Sequence, residues 1–352
     1  MKKIKTSVIG LGHAAEVFHM PGLSRFDDIE LSICDSNQER LTTVGAKFGI
    51  PSNRHYLNYK EMLKNEEPEA VLVLLPQYKD LRSTAHANYN PEIYLNIVKD
   101  VISQEKAVMV EKPLAMTLEH AQELANAARK AGVISMVSVN RRFNPLVQYC
   151  RKEVLKCSPI LNVNCNFYKG FGPKMAFKGC IEWLTGDMIH ALDLMRYLIG
   201  GEIIEFYPSL AKTADDEEVS AFYALAAVSN GATGIFSSNI RVGGRVQEWQ
   251  IHGDGISCYI RESFTPYDQK ETGMHTDAVI IRRDQKDVEM IKDIDLVPNE
   301  FAVYAGFTAA DRYFIDCVKS GTMPHCSFED GKNTVYYCNK IITSRLKSIK
   351  LR

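Results

Sequence analysis

The chain has no hydrophobic run long enough to cross a membrane, and its first residues lead into a strand pattern rather than the apolar region of a secretion signal. It also lacks an excess of basic charge, because 42 Lys and Arg residues face 43 Asp and Glu residues mixed along the sequence. A nucleic-acid-binding protein would carry a clustered basic face. We therefore expect a cytoplasmic globular protein with no membrane partner and no nucleic-acid partner.

Paired cysteine spacing is absent as well. The nine cysteines are odd in number and scattered without a C-x-x-C pair, which favours reduced thiols over a disulfide framework. No cluster of His, Cys or Glu has the spacing of a complete ligand set, so no metal site is predicted. The 352 residues are enough for two domains, each with its own core.

The first motif follows a predicted strand at residues 4–9. Residues 10–15, Gly-Leu-Gly-His-Ala-Ala, have the spacing G-x-G-x-x-A, open a helix, and are followed by Asp35 at the end of the next strand. In this context the turn and the helix N-terminus bind a pyrophosphate, and the acid accepts hydrogen bonds from a ribose. The pattern predicts a dinucleotide site. Pro21 is expected to kink the helix.

The acid also predicts which dinucleotide binds. Asp35 is followed by Ser36 and Asn37, so a 2′-phosphate would meet a carboxylate with no arginine immediately beside it. This favours NAD over NADP. Arg40 is the exception, because one turn of helix could bring its guanidinium back toward a phosphate. A helix N-cap is an alternative role for Asp35 that is compatible with the first.

A second motif ends a later strand. Val108-Met109-Val110 has the apolar character of a buried parallel strand and leads directly into Glu111-Lys112-Pro113. Ligands bind at the carboxyl ends of such strands, so Lys112 is a candidate for chemistry. Two solvated charges at a strand end are the alternative.

Alternation of strands and helices to about residue 140 predicts a doubly wound parallel sheet. Period-2 segments then dominate, at 160–168, 218–227, 231–239, 245–252 and 256–261. We predict an α/β protein with a Rossmann domain at 1–140 and an α+β domain with a mostly antiparallel sheet at 141–352.

One helix interrupts the second domain and contains Asp187, His190 and Asp193. The first two share a helix face, and a carboxylate beside a histidine is a common way to orient an acid or base. A half-buried histidine with a solvated aspartate is an equally good interpretation of this helix alone.

Together these motifs resemble the glucose–fructose oxidoreductase / inositol dehydrogenase / MocA family. The resemblance rests on the G-x-G-x-x-A turn, Asp35, Glu-Lys-Pro at 111–113, N-R-R-F-x-P at 140–145 and G-D-x-x-H-x-x-D at 186–193. It implies an open-faced sheet in the second domain, an active site in the cleft, and homodimers or homotetramers formed through that sheet. It also implies that Lys112 and His190 serve a sugar or cyclitol hydroxyl while Asp187 positions the substrate.

The chain departs from the family at one position. A histidine that family members commonly carry falls near Tyr94 here, which leaves the substrate open. Arg142 is a candidate for a substrate anion, although Arg141 could fill that role and an ion pair is an alternative for either. The predicted sites are catalytic Lys112, His190 and Asp187; cofactor-binding Gly10, Gly12, His13, Ala14, Ala15, Asp35, Glu111 and Lys112; and substrate-binding Arg142, Asp187, His190 and Tyr94.

The function predicted is hydride transfer between a secondary alcohol of a sugar, sugar derivative or cyclitol and NAD. Two alternatives are a non-catalytic NAD-sensing regulator, which would not require Lys112, Asp187 and His190 together, and an NAD-dependent glycosidase. The polar segment 77–90 is long for a connection in an α/β unit and is predicted to be a lid or specificity loop. A surface excursion or a subunit contact is its alternative.

Overall fold

The computed structural model describes residues 2–77, 90–170, 180–211, 219–262, 276–282 and 287–344. The chain divides into two compact units. Of the described residues, the N-terminal unit includes 2–77, 90–143 and 300–335, and the C-terminal unit includes those between 144 and 299 and those from 336 to 344. This division differs from the predicted boundary at 141, because the chain returns to the N-terminal unit after residue 299.

The N-terminal unit is built on a six-stranded parallel sheet with the order β3-β2-β1-β4-β5-β6. Its strands are β1 (Ile4–Ile9), β2 (Ile29–Cys34), β3 (His55–Tyr56), β4 (Ala70–Val73), β5 (Ala107–Glu111) and β6 (Ser135–Ser138). Continuous apolar sequence follows from burial on both faces, as in β4, where all four residues are buried. The predicted Rossmann sheet is confirmed.

Helices connect these strands: α1 (Met20–Leu23), α2 (Gln38–Phe48), α3 (Tyr59–Glu66), α4 (Pro91–Ser103) and α5 (Leu118–Ala131). Their starts follow local chemistry, since α2, α3, α4 and α5 each begin after an Asn or Thr whose side chain accepts a backbone N–H of the first turn. The helices α2 and α5 end at glycines with positive φ.

The first helical segment departs from ordinary α geometry. Residues Ala14–His19 form a π-helix that continues into α1, and the Met20 N–H donates to the Ala15 carbonyl five residues earlier. Pro21 follows directly and has no N–H to donate, so the backbone pairing is altered around it. The irregular turn lies just before Pro21 and contains the buried His19. The kink at Pro21 itself stays a prediction.

The returning segment adds α9 (Phe301–Tyr304), α10 (Phe307–Ser320) and the start of α11 (Phe328–Ile342). It pairs with the edge of the sheet, where the Val137 N–H donates to the Cys326 carbonyl over 2.8 Å. Gly331 packs so closely there that a Cβ atom would lie 2.6 Å from the Val137 side chain. The Rossmann core is therefore completed by sequence from near the end of the chain.

The C-terminal unit holds an eight-stranded sheet with the order β14-β13-β12-β11-β7-β10-β9-β8. Only the β7–β10 pair among these is parallel. The strands are β7 (Ile160–Lys169), β8 (Ile203–Ala211), β9 (Ala221–Val228), β10 (Thr233–Asn239), β11 (Arg245–Gly253), β12 (Ile256–Arg261), β13 (Asp277–Arg282) and β14 (Asp287–Lys292). Its helices are α6 (Pro145–Cys157), α7 (Cys180–Trp183) and α8 (Ile189–Ile199).

The two faces of this sheet differ in burial. Phe167, Phe236 and Trp249 are fully buried on the face against which α6 and α8 pack. Leu225 and Ile235 pair across neighbouring strands on the opposite face and remain 45% and 40% exposed. The predicted α/β fold with a second, mostly antiparallel sheet is confirmed.

Candidate active site

The turn after β1 has the backbone that a dinucleotide site needs. Gly10 has a φ of +92°, and a Cβ atom there would lie 2.8 Å from the Leu75 side chain and 3.0 Å from the Leu74 carbonyl oxygen. A Cβ atom on Gly12 would meet nothing within 4 Å. Gly10 is therefore required by the fold itself, whereas Gly12 leaves open space beside the backbone. Ala15, in the third motif position, is fully buried.

Asp35 is held by the backbone on both sides. Its Oδ2 accepts the Leu11 N–H over 2.8 Å, and its Oδ1 accepts the Asn37 N–H over 2.8 Å. Each carboxylate oxygen can still accept a second hydrogen bond, so the side chain remains competent to bind ribose hydroxyls. Arg40 lies with a guanidinium nitrogen 4.0 Å from Oδ2 and is 45% exposed. The role of helix N-cap belongs to Asn37, whose side chain accepts two N–H groups of α2.

These observations fit a bound dinucleotide. Open space lies over Gly12, an ionisable acceptor stands at the end of β2, and a helical segment starts directly after the turn. His13 is exposed beside the turn and its ring contacts Phe18 edge-on at 5.1 Å. Gly10, Gly12, Ala15 and Asp35 thus have positions suited to the predicted cofactor role, and the contacts of His13 and Ala14 with a cofactor remain predictions.

The Glu-Lys-Pro segment is anchored through its glutamate. Glu111 ends β5, its carbonyl accepts the Gln77 side-chain amide over 2.8 Å, and its Oε2 accepts the backbone N–H of Lys112 over 3.2 Å. Its Oε1 lies 2.8 Å from His19 Nε2. Glu111 therefore has contacts inside the protein that its predicted cofactor role did not include, and that cofactor role stays a prediction.

Tyr94 lies in α4 and is 3% exposed. Its hydroxyl donates to the Leu114 carbonyl over 2.8 Å, just beyond the Glu-Lys-Pro segment. This hydrogen bond helps to fix the backbone conformation after Pro113. The predicted contact of Tyr94 with substrate is not among these bonds and stays a prediction.

Arg142 forms the ion pair that was the alternative to substrate binding. Its guanidinium lies 2.5 Å from Asp330 Oδ2, and its side chain is 3% exposed. A second guanidinium nitrogen lies 3.4 Å from the His325 carbonyl oxygen. The pair joins the 3-10 turn Asn140–Phe143 to the start of α11. The described contacts therefore favour a structural role for Arg142 over the predicted substrate role.

The second constellation lies in the C-terminal unit. Asp187 is in a π-helical turn, Leu184–Met188, that leads into α8, and His190 is in the first turn of α8. The imidazole is 9% exposed and stacks over Phe167 with the ring centroids 6.4 Å apart. Asp193 is 1% exposed, which excludes the alternative interpretation in which this aspartate is solvated. Asp187 and His190 are brought onto one short segment, as predicted.

Lys169 belongs to the same constellation as Asp187 and His190 and was not predicted as a site residue from the sequence. It is the last residue of β7, forms a close ion pair with Asp187, and lies 5.0 Å from the centroid of the Trp183 ring. The signal was available, because Lys169 ends a strand just as Lys112 follows one. The ion pair fixes the orientation of the Asp187 carboxylate.

Other predictions concern the whole chain. Residues 78–89 lie outside the described residues, so the predicted lid is not addressed by the structure. Within the described ranges, no group of three or more His, Cys, Asp and Glu side chains could hold a metal ion. None of the described helices has the length and hydropathy needed to span a membrane.

Comparison with known proteins defines the class. Residues 4–139 match the family model described as an oxidoreductase family with an NAD-binding Rossmann fold, and residues 181–257 match the GFO/IDH/MocA C-terminal domain. The chain therefore belongs to the Gfo/Idh/MocA family of oxidoreductases. Its carbohydrate-related relatives and its Rossmann domain identify it as an enzyme of the dehydrogenase type.

Individual relatives are distant. Myo-inositol 2-dehydrogenase of Thermotoga maritima is 24% identical over 374 residues, covering 99% of this chain and 98% of that protein. An uncharacterized oxidoreductase of Schizosaccharomyces pombe is 31% identical over 145 residues, 41% of this chain and 36% of that protein. A 3-ketoreductase variant from Actinomadura kijaniata, solved with TDP-benzene and NADP, shares the fold with a TM-score of 0.70 and 18% identity, covering 97% of this chain and 98% of that one.

Proposed function

We propose that the protein is an NAD-dependent oxidoreductase that acts on a secondary alcohol of a sugar, sugar derivative or cyclitol. One observation carries the proposal: Lys112 follows β5 at the carboxyl edge of the sheet whose strand β1 ends in the dinucleotide turn. In parallel sheets this edge is where ligands bind. A lysine there is suited to act on a group that reacts with the cofactor. The dehydrogenase names of the relatives support the substrate class.

The bound nicotinamide would supply the two-electron acceptor of the reaction. Lys112 stabilises the oxygen of the reacting alcohol by donating from its ammonium group, and His190 takes the hydroxyl proton on an imidazole nitrogen. Asp187, oriented by Lys169, accepts hydrogen bonds from neighbouring substrate hydroxyls. A polyhydroxylated substrate suits this arrangement, because one carboxylate can accept two hydroxyl donors.

The test is a panel of sugars, cyclitols and their phosphates, incubated with purified protein and NAD while the absorbance of NADH is recorded. NADH formation with one group of polyols supports the proposal. Cleavage of a glycoside without net NADH would indicate the glycosidase alternative. Tight NADH binding without turnover of any panel member, in either direction, would indicate a regulator.

Cofactor preference is a separate prediction. The 2′-phosphate of NADP would lie near the Asp35 carboxylate, and repulsion of this kind costs about 1–3 kcal/mol, which is roughly a ten- to hundredfold preference for NAD. Asp35→Ser should narrow the gap in kcat/KM between the two cofactors. The control is Arg40→Gln, which removes the exposed cation beside the same carboxylate. Equal kcat/KM of the unmodified protein with NADP would contradict the prediction.

Substrate positioning is tested at the Lys169–Asp187 pair. A charged hydrogen bond is worth about 1.5–3 kcal/mol, so Asp187→Asn and Lys169→Met should each raise KM for the substrate about tenfold or more, and Asp187→Asn should also lower kcat. Arg261→Met, which breaks the half-exposed Arg261–Asp277 pair of the same unit, is the matched control and should leave KM unchanged. An unaltered KM in Asp187→Asn would remove this residue from the substrate site.

We further propose that a second copy of the chain covers the open face of the C-terminal sheet. One row across this face contains Tyr207, Leu225 and Ile235 on the neighbouring strands β8, β9 and β10, which are 58%, 45% and 40% exposed. Contiguous exposed apolar side chains of this kind mark protein interfaces. We therefore expect the protein to form homodimers or homotetramers through this face.

The corresponding prediction uses a charged substitution. Leu225→Glu should convert the assembly to monomers in sedimentation velocity, because the carboxylate would be buried without a partner. Ile93→Glu, at a 53% exposed position in α4, is the control and should leave the assembly intact. A Leu225→Glu protein with the sedimentation coefficient of the unmodified protein would contradict the proposed interface.

A further inference from the structure

A histidine outside the predicted site is held between two carboxylates in the interior of the N-terminal unit. His19 Nδ1 lies 2.7 Å from Asp311 Oδ1, and its Nε2 lies 2.8 Å from Glu111 Oε1. The His19 and Asp311 side chains are fully buried, and that of Glu111 is 14% exposed. We call these three residues the His19 cluster.

With both carboxyl groups ionised, the two short contacts require a doubly protonated ring. A neutral imidazole has one N–H and one lone pair, so one of the two short contacts would set a lone pair against a carboxylate oxygen. An imidazolium donates at both nitrogens and neutralises one of the two buried negative charges. The ring also packs edge-to-face with Phe307, with the centroids 5.6 Å apart, a contact that brings no charge.

Electrostatics agree with this geometry. Burial alone would lower the pKa of His19, but the carboxylates of Asp311 and Glu111 outweigh it and raise the pKa from 6.5 to about 10. Burial raises the pKa of the Asp311 carboxyl, and the adjacent imidazolium lowers it again in part. The cationic form of His19 is the one that the cluster stabilises at neutral pH.

The cluster is connected to Lys112 by a single side chain. Glu111 accepts a hydrogen bond from the His19 ring at Oε1 and another from the backbone N–H of Lys112 at Oε2. Orientation of this carboxylate therefore decides where the backbone of Lys112 is anchored. A Glu111 side chain without its histidine would be free to rotate away or to take up a proton, and either change removes an acceptor from the Lys112 amide.

The three members come from distant parts of the chain. His19 is in the π-helical segment that follows the dinucleotide turn, Glu111 ends β5, and Asp311 is in α10 of the returning segment. The same imidazolium thus ties the segment next to the cofactor turn to the strand end that presents Lys112.

We infer that His19 is a positioning residue: a buried imidazolium that fixes Glu111 and, through it, the backbone of Lys112 for the reaction. This inference rests on the proposed function in one respect, the catalytic role of Lys112. The charge state of His19 and its contacts do not depend on that role, so the two can fail separately.

The charge state is tested first, on the unmodified full-length protein. Selective 15N labelling of histidine and long-range proton–nitrogen spectra distinguish an imidazolium from both neutral tautomers. We expect one histidine to keep two protonated ring nitrogens at about pH 8, where an ordinary histidine is neutral. Its signals should move in Asp311→Asn, which assigns it. A spectrum in which all histidines are neutral at that pH would overturn the inference.

The positioning role is tested by kinetics. A glutamine at position 19 has donors at one end only and cannot serve both carboxylates, so His19→Gln should lower kcat about ten- to hundredfold, as misplacement of a supporting residue does. The KM for NAD should stay nearly unchanged. Ser7→Ala, which removes the buried 2.7 Å bond to Ser32 in the same sheet, is the control and should leave kcat unaltered.

A double variant separates positioning from stability. His19→Gln leaves two buried carboxylates without a cation, and adding Asp311→Asn removes one of those charges. The double variant should regain much of the lost melting temperature while kcat remains low, because Glu111 still lacks its imidazolium. Recovery of kcat together with the melting temperature would show a purely structural role. Normal kcat in a folded His19→Gln protein, with Lys112→Ala inactive, would refute the positioning role alone.

Discussion

Lys112→Ala and His190→Ala are each expected to lower kcat about 10²–10⁴-fold, the usual loss when a positioned acid–base group is removed. Lys112 follows the buried strand β5 at the sheet edge that also holds the dinucleotide turn. His190 is itself nearly buried and stacked on Phe167. The loss should fall on turnover, because Lys112 is only one of the predicted cofactor-binding residues and His190 is not among them.

The measurement pairs steady-state kinetics with NADH binding followed by fluorescence. NADH affinity should change little in either variant, so that kcat and binding separate. Lys60→Ala is the matched lysine control, since Lys60 is 67% exposed and pairs with Asp100 on the surface of the same unit. A variant at 112 or 190 that kept a near-normal kcat would remove that residue from the chemistry.

Much of the N-terminal unit follows from local sequence. An apolar run such as Val71-Leu72-Val73 is buried on both faces of a parallel sheet, and its composition alone distinguishes it from a half-exposed strand. The turn at Gly10 and the acid at 35 lie at fixed places relative to strands β1 and β2, so the dinucleotide site was predictable. In this part of the chain the local sequence pattern and the position of the residues in the folded unit agree.

The strands missed in the C-terminal unit lie mostly at the edges of its sheet. β8 and β14 are the two outermost strands, and most of their residues are at least partly exposed. Pro208 lies within β8, where an edge position tolerates its missing N–H. With little burial on either face, such strands lack the apolar alternation on which a prediction from sequence depends.

Contacts between residues far apart in the sequence explain the remaining differences between the predicted and the observed roles of side chains. His19 contacts Asp311 across 292 positions of the chain, and Arg142 contacts Asp330 across 188. Neither pairing has a local signature, because the partners meet only when the returning segment packs on the Rossmann sheet. Because the partner of Arg142 is so distant, the local sequence shows an arginine without an ion-pair partner, which is the pattern of a ligand-binding cation.

The His19 cluster should also make stability depend on pH. A histidine whose pKa is raised on folding, here from 6.5 to about 10, binds its proton in the native state over a range in which the unfolded chain has released it. The unfolded state then binds fewer protons, so the free energy of unfolding falls as pH rises. The contribution of His19 is fully present below about pH 6.5 and is lost progressively toward about pH 10.

Within that window the loss should approach about 1.4 kcal/mol for each pH unit, the free energy that corresponds to one proton. Urea unfolding at several pH values between 6.5 and about 8 measures it, a range that stays below the ordinary pKa values of cysteine, about 8.5, and tyrosine, about 10. Subtracting the curve of the His19→Gln/Asp311→Asn double variant removes the remaining groups, since that protein also lacks the Asp311 carboxyl whose pKa burial raises. The difference in unfolding free energy between the two proteins should shrink steadily with pH. A difference that stays constant over the range would mean that His19 is neutral in the native protein.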